Sequence, residues 1–450
     1  MTQAAIEAWH ESATQAIGAE SGQWLNAELA KRGLMFGERP LCTVIRPRFL
    51  SRPEYDLMGR RIRVLLGAFN TALEAALATP AVLDQFRLET WERTLVLEDP
   101  GTDPSPVSRL DAFFSPDDGQ LRFTEYNAET PAGSAYNDAL TDLFLALPLM
   151  RDFRRRFAVS PIPARHNVLH SLLKAYQRFS GGRTRPTIGI LDWKEVPTMS
   201  EFLLYRDYFE SVGIRCVIGD PREVEYRGGA LYSGGIKIDL IYKRVLINEL
   251  VADGGLDHPM VRAVRDRAVC MTNPFRCKNL HKKASLAVLS DERNAALFSA
   301  AEREVIAAHV PWTRVVEERK TVIDGRPVDL LPFVADNKDR LVLKPNDDYG
   351  GAGVVLGWEV DAATWQAEVT KAIEHPSIVQ QRIGLPSELF PSLVDGGVVL
   401  ASRIVDTAPF CFDGAFAEGC LTRVSTATLV NVTAGGGSTV PTLLVEPRGT

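Results

Sequence analysis

The sequence predicts a mixed α/β protein that contains a small domain built on parallel strands. The runs "TIGILDW" (187–193) and "IRCVIGD" (214–220) are short and apolar, as buried strands are, and "TMSEFLLYRDYFESVG" between them has a helical pattern. A strand–helix–strand order of this length is typical of parallel strands joined by a crossover helix. With 450 residues, of which 45% are hydrophobic and 24% charged, the chain is long enough for two or three packed units.

The remaining elements follow in order along the chain. Up to about residue 100 the pattern is mainly helical, most clearly at 57–77. The runs "SRLDAFFS" and "LRFTEYNA" around the turn signal "PDDGQ" then predict a hairpin at 108–128. After the small domain, strands alternate with one helix at 361–375. We therefore predict four successive regions, with the bounds 1–107, 108–180, 185–270 and 271–450.

Composition and charge argue against several classes of protein. The formal charge of −6 comes from 51 basic and 57 acidic residues without blocks, so we expect neither nucleic acid nor a membrane surface as partner. The first twenty residues lack the basic start and apolar core of a signal peptide, and no run of about 18 apolar residues occurs, so we expect a cytoplasmic protein. The six cysteines form no C-x-x-C pair, which indicates reduced thiols and no zinc site.

The stretch "LVLKPNDDYGGAGVVLGW" (341–358) reads as two strands interrupted by a polar, glycine-rich loop. Lys344 ends the first strand, and Gly350, Gly351 and Gly353 follow within a few residues. An ammonium beside backbone N–H groups that no Cβ shields suits a polyphosphate. The stretch matches neither the Walker A pattern G-x-x-x-x-G-K-S/T nor the dinucleotide fingerprint. The alternative is a mobile hairpin tip without a ligand.

The hairpin at 108–128 carries a second candidate site. On a regular strand, Glu125 and Asn127 share a face with Leu121 and Phe123, so an apolar face becomes polar at its end. A carboxylate and an amide side by side can hold a hard cation through oxygen ligands. The alternative is a solvated hairpin face, since charged side chains are mostly exposed.

The register of this hairpin decides whether Asp111 joins the site. With a five-residue loop at 116–120, Asp111 lies directly opposite Glu125, whereas a four-residue loop turns Asp111 to the other face.

Two further groups of residues are candidates for anion binding. Lys282 and Lys283 precede a predicted helix, where surface lysines are the ordinary alternative. Arg423 and Asn431 lie on strands that lead to three consecutive glycines at 435–437, which suit either an anion-binding nest or a wide turn.

Taken together, these stretches resemble one known family. "RLDAFF" with "LRFTEYNAETPAG" resembles the metal-binding hairpin of the glutathionylspermidine synthetase-like, circularly permuted ATP-grasp proteins. "LVLKPNDDYGGAGVVLG", "SIVQQRI" and "LVNVTAGGGSTVP" resemble the lid strand, adenine hinge and late glycine loop of that class. The resemblance covers roughly residues 40 to 450. It implies an ATP-grasp fold in permuted order, because the hairpin carboxylates precede Lys344 by more than 200 positions, together with a small parallel pre-ATP-grasp-like domain at 185–270.

The resemblance also implies roles for individual residues. Those expected to bind magnesium are Asp111, Glu125 and Asn127. Those expected to face the transferred phosphate and the acyl phosphate are Arg109 and Arg423, respectively. Those expected to bind ATP are one of Lys282 and Lys283, then Lys344, the loop residues Tyr349, Gly350, Gly351 and Gly353, and the hinge residues Gln380, Gln381 and Ile383. One departure is Glu129, which stands where an Asp is more usual.

The implied activity is that of an ATP-dependent carboxylate–amine ligase that forms an amide or peptide bond through an acyl phosphate and releases ADP and phosphate. ATP and Mg²⁺ are the implied cofactors, and a small-molecule or peptide carboxylate and an amine are the implied substrates. Transfer of a γ-phosphoryl group needs a metal and cations to offset repulsion, which the residue types provide. A phosphotransferase and a non-catalytic nucleotide-binding module remain as alternatives.

Overall fold

The computed structural model describes residues 2–116, 118–182, 184–348, 350–428 and 437–448. The helices of these residues are α1 (Thr2–Ala13), α2 (Ala16–Lys31), α3 (Arg52–Ala78), α4 (Pro80–Leu83), α5 (Thr90–Leu97), α6 (Ser134–Ala146), α7 (Pro148–Arg156), α8 (Arg165–Ser180), α9 (Met199–Ser211), α10 (Ile247–Gly254), α11 (Pro259–Arg265), α12 (Cys277–His281), α13 (Ala284–Ser290), α14 (Ala300–His309), α15 (Leu330–Asp336) and α16 (Ala362–Glu374). In the described part of the chain, none of them has the length and apolarity that crossing a bilayer requires.

The strands are β1 (Met35–Phe36), β2 (Arg39–Pro40), β3 (Arg48–Leu50), β4 (Val107–Phe114), β5 (Leu121–Asn127), β6 (Phe157–Pro161), β7 (Ile188–Leu191), β8 (Cys216–Gly219), β9 (Val224–Arg227), β10 (Ala230–Ser233), β11 (Ile236–Ile238), β12 (Leu240–Lys243), β13 (Cys270–Thr272), β14 (Thr313–Val315), β15 (Lys320–Ile323), β16 (Arg326–Asp329), β17 (Leu341–Pro345), β18 (Val355–Leu356), β19 (Ser377–Gln381), β20 (Ser387–Val394), β21 (Gly397–Val405), β22 (Ala408–Phe412), β23 (Phe416–Ser425) and β24 (Gly437–Pro447).

A large sheet joins the predicted hairpin to the C-terminal strands. Its order is β20-β21-β23-β22-β4-β5, and β24 extends from β23 to pair with β3 and β6. Strands β4 and β5 form the hairpin that the sequence predicts at 108–128, and β4 pairs antiparallel with β22, which comes almost 300 residues later. The sheet therefore holds residues from both ends of the chain side by side.

The long helix α3 packs against one face of the large sheet. It starts after Ser51, whose hydroxyl accepts from the Glu54 N–H while the Glu54 carboxylate accepts from the Ser51 N–H, a reciprocal cap that satisfies two otherwise unpaired donors. Its apolar residues recur at three- and four-residue steps and share one buried core with the hairpin. Phe69 of α3 meets Tyr126 of β5 with ring centroids 4.4 Å apart.

The small parallel domain confirms the predicted strand–helix–strand unit. Strands β7 and β8 pair in parallel, with Ile188 opposite Cys216, and helix α9 connects them. The full order is β13-β12-β7-β8, all parallel. Phe202 and Tyr205 of α9 are fully buried in the same core as Ile188, so an apolar helix face covers the sheet.

An antiparallel sheet of order β14-β19-β17-β18 carries the glycine-rich stretch. Strands β17 and β18 flank the loop as the sequence predicts, with Val342 opposite Leu356. The predicted helix at 361–375 is α16, whose Trp365 packs on Leu343 and donates its indole N–H to the Val334 carbonyl oxygen at 2.9 Å. The sheet is thus held rigidly behind the loop.

One buried amide holds the two strands of the β4–β5 hairpin at its open end. Asn273, which follows β13 and is 2% exposed, donates through Nδ2 to the carbonyl oxygens of Val107 at 2.6 Å and Ala128 at 2.8 Å. Its Oδ1 accepts from the Val107 N–H at 3.2 Å. Because Val107 starts β4 and Ala128 follows β5, this side chain anchors the hairpin to the parallel domain.

We expect Asn273→Asp to destabilise the protein by about 2 kcal/mol or more, since a carboxylate that faces carbonyl oxygens leaves buried acceptors unmet. Urea unfolding followed by circular dichroism measures this loss. Asn26→Asp is the matched control, because Asn26 is exposed on α2 and exposed substitutions change stability by about 0.5 kcal/mol or less. Equal effects at the two positions would contradict the anchoring role of Asn273.

Candidate functional site

A β-bulge sets the polar face of the hairpin. Near the turn, Phe114 lies opposite Leu121, but further along Asp111 lies opposite Glu125, so β5 contains one extra residue between these pairs. That residue is Thr124, whose hydroxyl donates to the Asp111 carbonyl oxygen at 3.3 Å. The bulge therefore places the Asp111 and Glu125 side chains next to each other across the two strands.

Of the two loop lengths considered for this hairpin, the structure has the four-residue loop. The Ser115 N–H donates to the Gln120 carbonyl oxygen at 2.9 Å, which continues the pairing of the turn end of the hairpin. In a regular antiparallel ladder, a four-residue loop would place the Asp111 side chain on the opposite face from Glu125. The bulge nevertheless places Asp111 opposite Glu125, so the two residues are neighbours although the loop has four residues and not five.

The bulge also corrects one prediction. Leu121 and Phe123 belong to the buried core together with Tyr126, whereas Glu125 and Asn127 line a cavity on the opposite side of the sheet. The expectation that Glu125 and Asn127 share a face with Leu121 and Phe123 is wrong, because the extra residue inverts the alternation of β5.

Two arginines hold the carboxylate of Asp111. Arg109 donates from Nε to Oδ1 at 2.7 Å and from Nη2 to Oδ2 at 3.1 Å, and Arg423 of β23 donates to Oδ2 at 2.8 Å. Burial raises the pKa of Asp111, but the two guanidinium groups outweigh it and hold the pKa well below its usual range. Asp406 accepts from Arg423 as well, and burial raises the pKa of Asp406. Sequence reasoning missed Asp406.

Two lysines lie beside Glu125. Lys283 Nζ is 3.0 Å from Glu125 Oε1, and Lys344 Nζ donates to Gln380 Oε1 at 2.7 Å and to the Thr124 carbonyl oxygen at 3.2 Å. Shielding from solvent lowers the pKa of Lys344 to about 8, and the positive charge of Lys283 adds to the effect. The pKa of Glu125 is lowered despite its burial, because both lysines stabilise the carboxylate.

The cavity at these side chains, the first cavity, has a volume of about 200 Å³ and lies between the hairpin and the antiparallel sheet. Its lining includes the carboxylates, arginines and lysines described above. The rest of the lining is mainly apolar and includes Val342, Leu356, Trp358, Ile383 and Leu385, together with the amides of Gln380 and Gln381. Gln380 is 2% exposed, and its amide is oriented at both ends, since Nε2 donates to Thr313 Oγ1 at 3.0 Å.

The structure distinguishes the two lysines that the sequence left open. Lys283 lines the first cavity, whereas Lys282 does not. Lys282 pairs with the buried Glu92 at 2.7 Å and with Asp347 at 3.0 Å, so two carboxylates of the protein neutralise its charge.

The predicted glycine loop borders the first cavity only in part. Gly350 and Gly351 line the cavity, with φ angles of 64° and 79°. Gly353 has a φ of 66° and packs against Pro345, where an added Cβ would lie 2.6 Å from the proline Cγ. Tyr349 and Asn431 lie outside the described residues, as do the first two of the three glycines at 435–437.

The charges of the first cavity cancel. Among its described lining residues, four cations face four carboxylates, namely Arg109, Lys283, Lys344 and Arg423 with Asp111, Glu125, Asp348 and Asp406. Arg109, Arg423 and Lys283 each pair with a carboxylate in the protein alone, whereas Lys344 donates to Gln380 and to a backbone carbonyl oxygen.

The residues proposed for a metal are oxygen donors of the kind Mg²⁺ prefers. Asp111 and Glu125 supply two carboxylates and Asn127 an amide, all on the cavity side of the hairpin. The Asn127 Nδ2 atom is buried and has no hydrogen-bond partner in the described part of the chain, so this N–H group could donate to an anionic ligand while the amide oxygen meets a cation. Within the described ranges, no three His, Cys, Asp or Glu side chains cluster as a metal site.

Glu129 is buried behind the candidate site and does not line the first cavity. It is 1% exposed, lies 3.2 Å from Lys278 Nζ and 3.4 Å from Lys243 Nζ, and accepts from the Ile247 N–H. Burial opposes ionisation, but the two lysines hold the pKa of Glu129 well below its usual range. Glu129 thereby ties the chain after the hairpin to β12 and α12.

A second cavity of about 530 Å³ adjoins the first. Arg109, Asn127, Gly350 and Arg423 line both, so the two cavities meet at these residues. The second cavity extends to the parallel domain, where its charged lining residues are Asp192, Arg244 and Glu249. Sequence reasoning missed these three. Asp192 directly follows β7, and the carboxyl end of a parallel strand is where α/β proteins bind ligands, so that signal was present.

We expect Gly353→Ala to destabilise the glycine-rich loop. The substitution adds the cost of a left-handed alanine, about 1 kcal/mol, to a clash with Pro345. Gly396→Ala is the matched control, because Gly396 has a φ of 80° and nothing within 4 Å of the added Cβ. Thermal melts of the two variants measure this effect, and an equal loss in both would contradict the close contact at Gly353.

Relatives at the level of sequence are distant. No protein-family model matches the chain. An uncharacterized protein of Mycobacterium tuberculosis strain H37Rv is 24% identical over 438 residues, which cover 91% of this chain and 75% of the relative. A provisionally named glutamate–cysteine ligase of Frankia casuarinae is 25% identical over 341 residues, which cover 71% of this chain and 36% of that protein.

A solved structure agrees over nearly the whole chain. The apo form of a glutathione synthetase-like effector from Globodera pallida superposes with a TM-score of 0.60 and covers 95% of this chain and 96% of its own. The two sequences are 12% identical, so the agreement concerns the fold and not the residues of the site. The chain thus shares its fold with that glutathione synthetase-like effector.

Proposed function

We propose that the protein is an ATP-dependent carboxylate–amine ligase of the ATP-grasp type, which forms an amide bond through an acyl phosphate. One observation carries the proposal. Lysines and carboxylates line the first cavity, and Arg109 and Arg423 line both this cavity and the adjoining second one. A phosphate donor in the first cavity and an acid in the second would meet at these two arginines.

In this proposal the nucleotide lies in the first cavity. The adenine meets the apolar part of the lining and the hinge residues Gln380, Gln381 and Ile383, and Lys283 and Lys344 contact the phosphates. The loop glycines Gly350 and Gly351 allow the backbone to approach the phosphates closely, because they carry no Cβ. The orientation of Gln380 by Lys344 and Thr313 supports this assignment, since both neighbours fix the hinge before a ligand binds.

Asp111, Glu125 and Asn127 would hold magnesium, which offsets the phosphate charge and aligns the reacting groups when it is bound. In the protein alone, Lys283 pairs with Glu125 and Arg423 with Asp111. These cations would change partners from the carboxylates to the phosphates as the ligands enter.

The proposed chemistry has two steps. A substrate carboxylate oxygen attacks the γ-phosphorus, the bond from that phosphorus to the bridging oxygen breaks, and ADP leaves with the bond electrons. An amine nitrogen then attacks the acyl carbon, loses a proton, and expels inorganic phosphate. Arg109 and Arg423 would stabilise the charge on the transferred group, and the glycine loop would exclude water from the acyl phosphate.

We also propose that the ATP-grasp elements occur in circularly permuted order, as in glutathionylspermidine synthetase-like proteins. The pairing of β4 with β22 supports this order, because it inserts an early hairpin into a sheet of C-terminal strands. The four regions 1–107, 108–180, 185–270 and 271–450 would be the helical segment, the metal hairpin with its helices, the substrate-side domain, and the lid with the central sheet. The shared fold with a glutathione synthetase-like effector and the ligase name of the Frankia relative agree with this proposal.

A phosphotransferase that releases the phosphorylated product is the second candidate. It uses the same first cavity, and the two differ only in whether an amine attacks the acyl group. A non-catalytic nucleotide-binding module is a third candidate, and the carboxylate pair beside two lysines argues against it, since a module has no need of a metal cluster.

We expect Mg-ADP to raise the melting temperature, and Lys344→Met and Lys283→Met to remove most of that rise. A ligand at a hundredfold excess over its dissociation constant stabilises the folded state by about 2.7 kcal/mol. Lys282→Met is the matched control. It should lower the melting temperature of the protein alone, because it leaves the buried Glu92 without its closest cation, but it should keep the rise with Mg-ADP. Loss of the rise in Lys282→Met alone would refute the assignment of the two lysines.

We expect a suitable acid with ATP and hydroxylamine to yield a hydroxamate and ADP, because hydroxylamine intercepts an activated carboxylate. Glu125→Gln should lower this turnover at least a hundredfold while the fold persists, since the variant removes a charge beside the metal. Glu359→Gln, outside both cavities, is the control. A stable phosphorylated product without hydroxamate would favour the phosphotransferase, AMP with pyrophosphate would indicate adenylation, and unchanged turnover in Glu125→Gln would refute the metal site.

A further inference from the structure

The far wall of the second cavity carries two carboxylates, Asp192 and Glu249, that form no ion pair within 4 Å among the described residues. Asp192 is 8% exposed and accepts the Trp193 backbone N–H at Oδ1, and Glu249 accepts the Trp193 indole N–H at Oε2, both at 2.9 Å. Asp192 Oδ2 and Glu249 Oε1 accept no hydrogen bond from the described residues, and neither side chain has an ion-pair partner within 4 Å there. Both side chains line the cavity, so these oxygens are available to a ligand.

The nearest cation, Arg244, already has partners inside the protein. Arg244 is 5% exposed, donates to the Pro131 carbonyl oxygen at 2.5 Å, and lies 3.6 Å from the carboxylate of the fully buried Glu201. Glu201 offsets the charge of Arg244, so Asp192 and Glu249 leave the far wall with a net negative charge. Burial raises the pKa of Asp192 to about 6, an effect that the charge of Arg244 opposes and the charge of Glu249 reinforces.

The lining of the second cavity also contains apolar side chains. Leu246 and Tyr136 are buried there, and Trp193 and Val196 are partly exposed. The near end holds Arg109 and Arg423, where the proposed reaction takes place. A ligand that fits this distribution has a carboxylate at one end, an apolar body, and a positive charge at the other end.

We infer that the second cavity binds the acid substrate, and that this acid is an amino acid or short peptide with an apolar side chain whose free, protonated amine lies between Asp192 and Glu249. The inference rests on the proposed function for the identity of the reacting end. Asp192 and Glu249 are specificity-determining residues in it, and they take no part in the chemistry.

Hydroxylamine allows a test that depends on the acid alone, because it replaces the amine substrate. We expect leucylalanine, with ATP and hydroxylamine, to have a KM at least tenfold below that of N-acetyl-leucylalanine, which has the same carboxylate and no cationic end. Glu249→Gln and Asp192→Asn keep the acceptors for Trp193 and should raise the KM for leucylalanine at least tenfold, which removes the preference. Asp253→Asn, on the exposed face of α10, is the matched control and should keep it.

The pH dependence gives an independent readout. The charged groups that act on Asp192 are Arg244, Glu249 and Lys243. Because the pKa of Asp192 is raised to about 6, the carboxylate form exists above that pH and is lost as the pH falls through it. We expect kcat/KM for leucylalanine to fall up to tenfold per pH unit below about 6, and this fall to be absent with the N-acetyl dipeptide and in Asp192→Asn.

The failure of this inference differs from the failure of the proposed function. An equal KM for the free and acetylated dipeptides, or an unchanged preference in both carboxylate variants, overturns the assignment of the acid wall while the ligase remains. If no acid yields a hydroxamate, the ligase proposal fails. Calorimetry of the two dipeptides with the ADP-saturated protein then tests whether the second cavity binds the free amine. Tighter binding of the free dipeptide that Glu249→Gln abolishes supports the inference, and equal or absent binding overturns it.

Discussion

The carboxylate of Asp111 between Arg109 and Arg423 is the interaction on which the rest of the site depends. It joins a hairpin from the first third of the chain to a strand near its end, at the point where the two cavities meet. Without that carboxylate, two adjacent guanidinium groups would share a confined space, with Asp406 as the remaining counter-charge. The bulge at Thr124 serves the same arrangement, since it presents Glu125 beside Asp111 while the apolar residues of β5 stay in the core.

Much of the fold was predictable because its signals are local. The parallel unit at 187–220, the hairpin at 108–128 and the strand–loop–strand at 341–358 all follow from runs of apolar residues between turn residues, and the structure contains each of them. The alternation of β5 was not predictable, because nothing in "LRFTEYN" distinguishes a bulged strand from a regular one. A bulge is decided by the strands on both sides, here the core contacts of Tyr126 and the bridge from Ala112 to Thr407.

The site shows the same division between local and tertiary information. Sequence motifs pointed to Asp111, Glu125, Lys344 and Gln380, which the structure brings to one cavity. The choice between Lys282 and Lys283 depends on Glu92 and Asp347, which take up one of the two charges and lie far away in the chain. Asp406, Asp192 and Glu249 belong to no motif, and only the packing of the parallel domain against the large sheet gives the last two a common cavity.

The balanced charge of the first cavity has a consequence for the kinetics of association. A cavity with equal numbers of cations and carboxylates has little long-range field, and the formal charge of −6 on the whole chain does not attract an anion either. Electrostatic steering, which speeds encounters with charged ligands and weakens steeply with salt, is therefore small here. A nucleotide would therefore gain no electrostatic acceleration, and repulsion by the negative chain would slow its arrival most at low ionic strength. Its affinity would depend mainly on how long it stays once the lysines and arginines have changed partners.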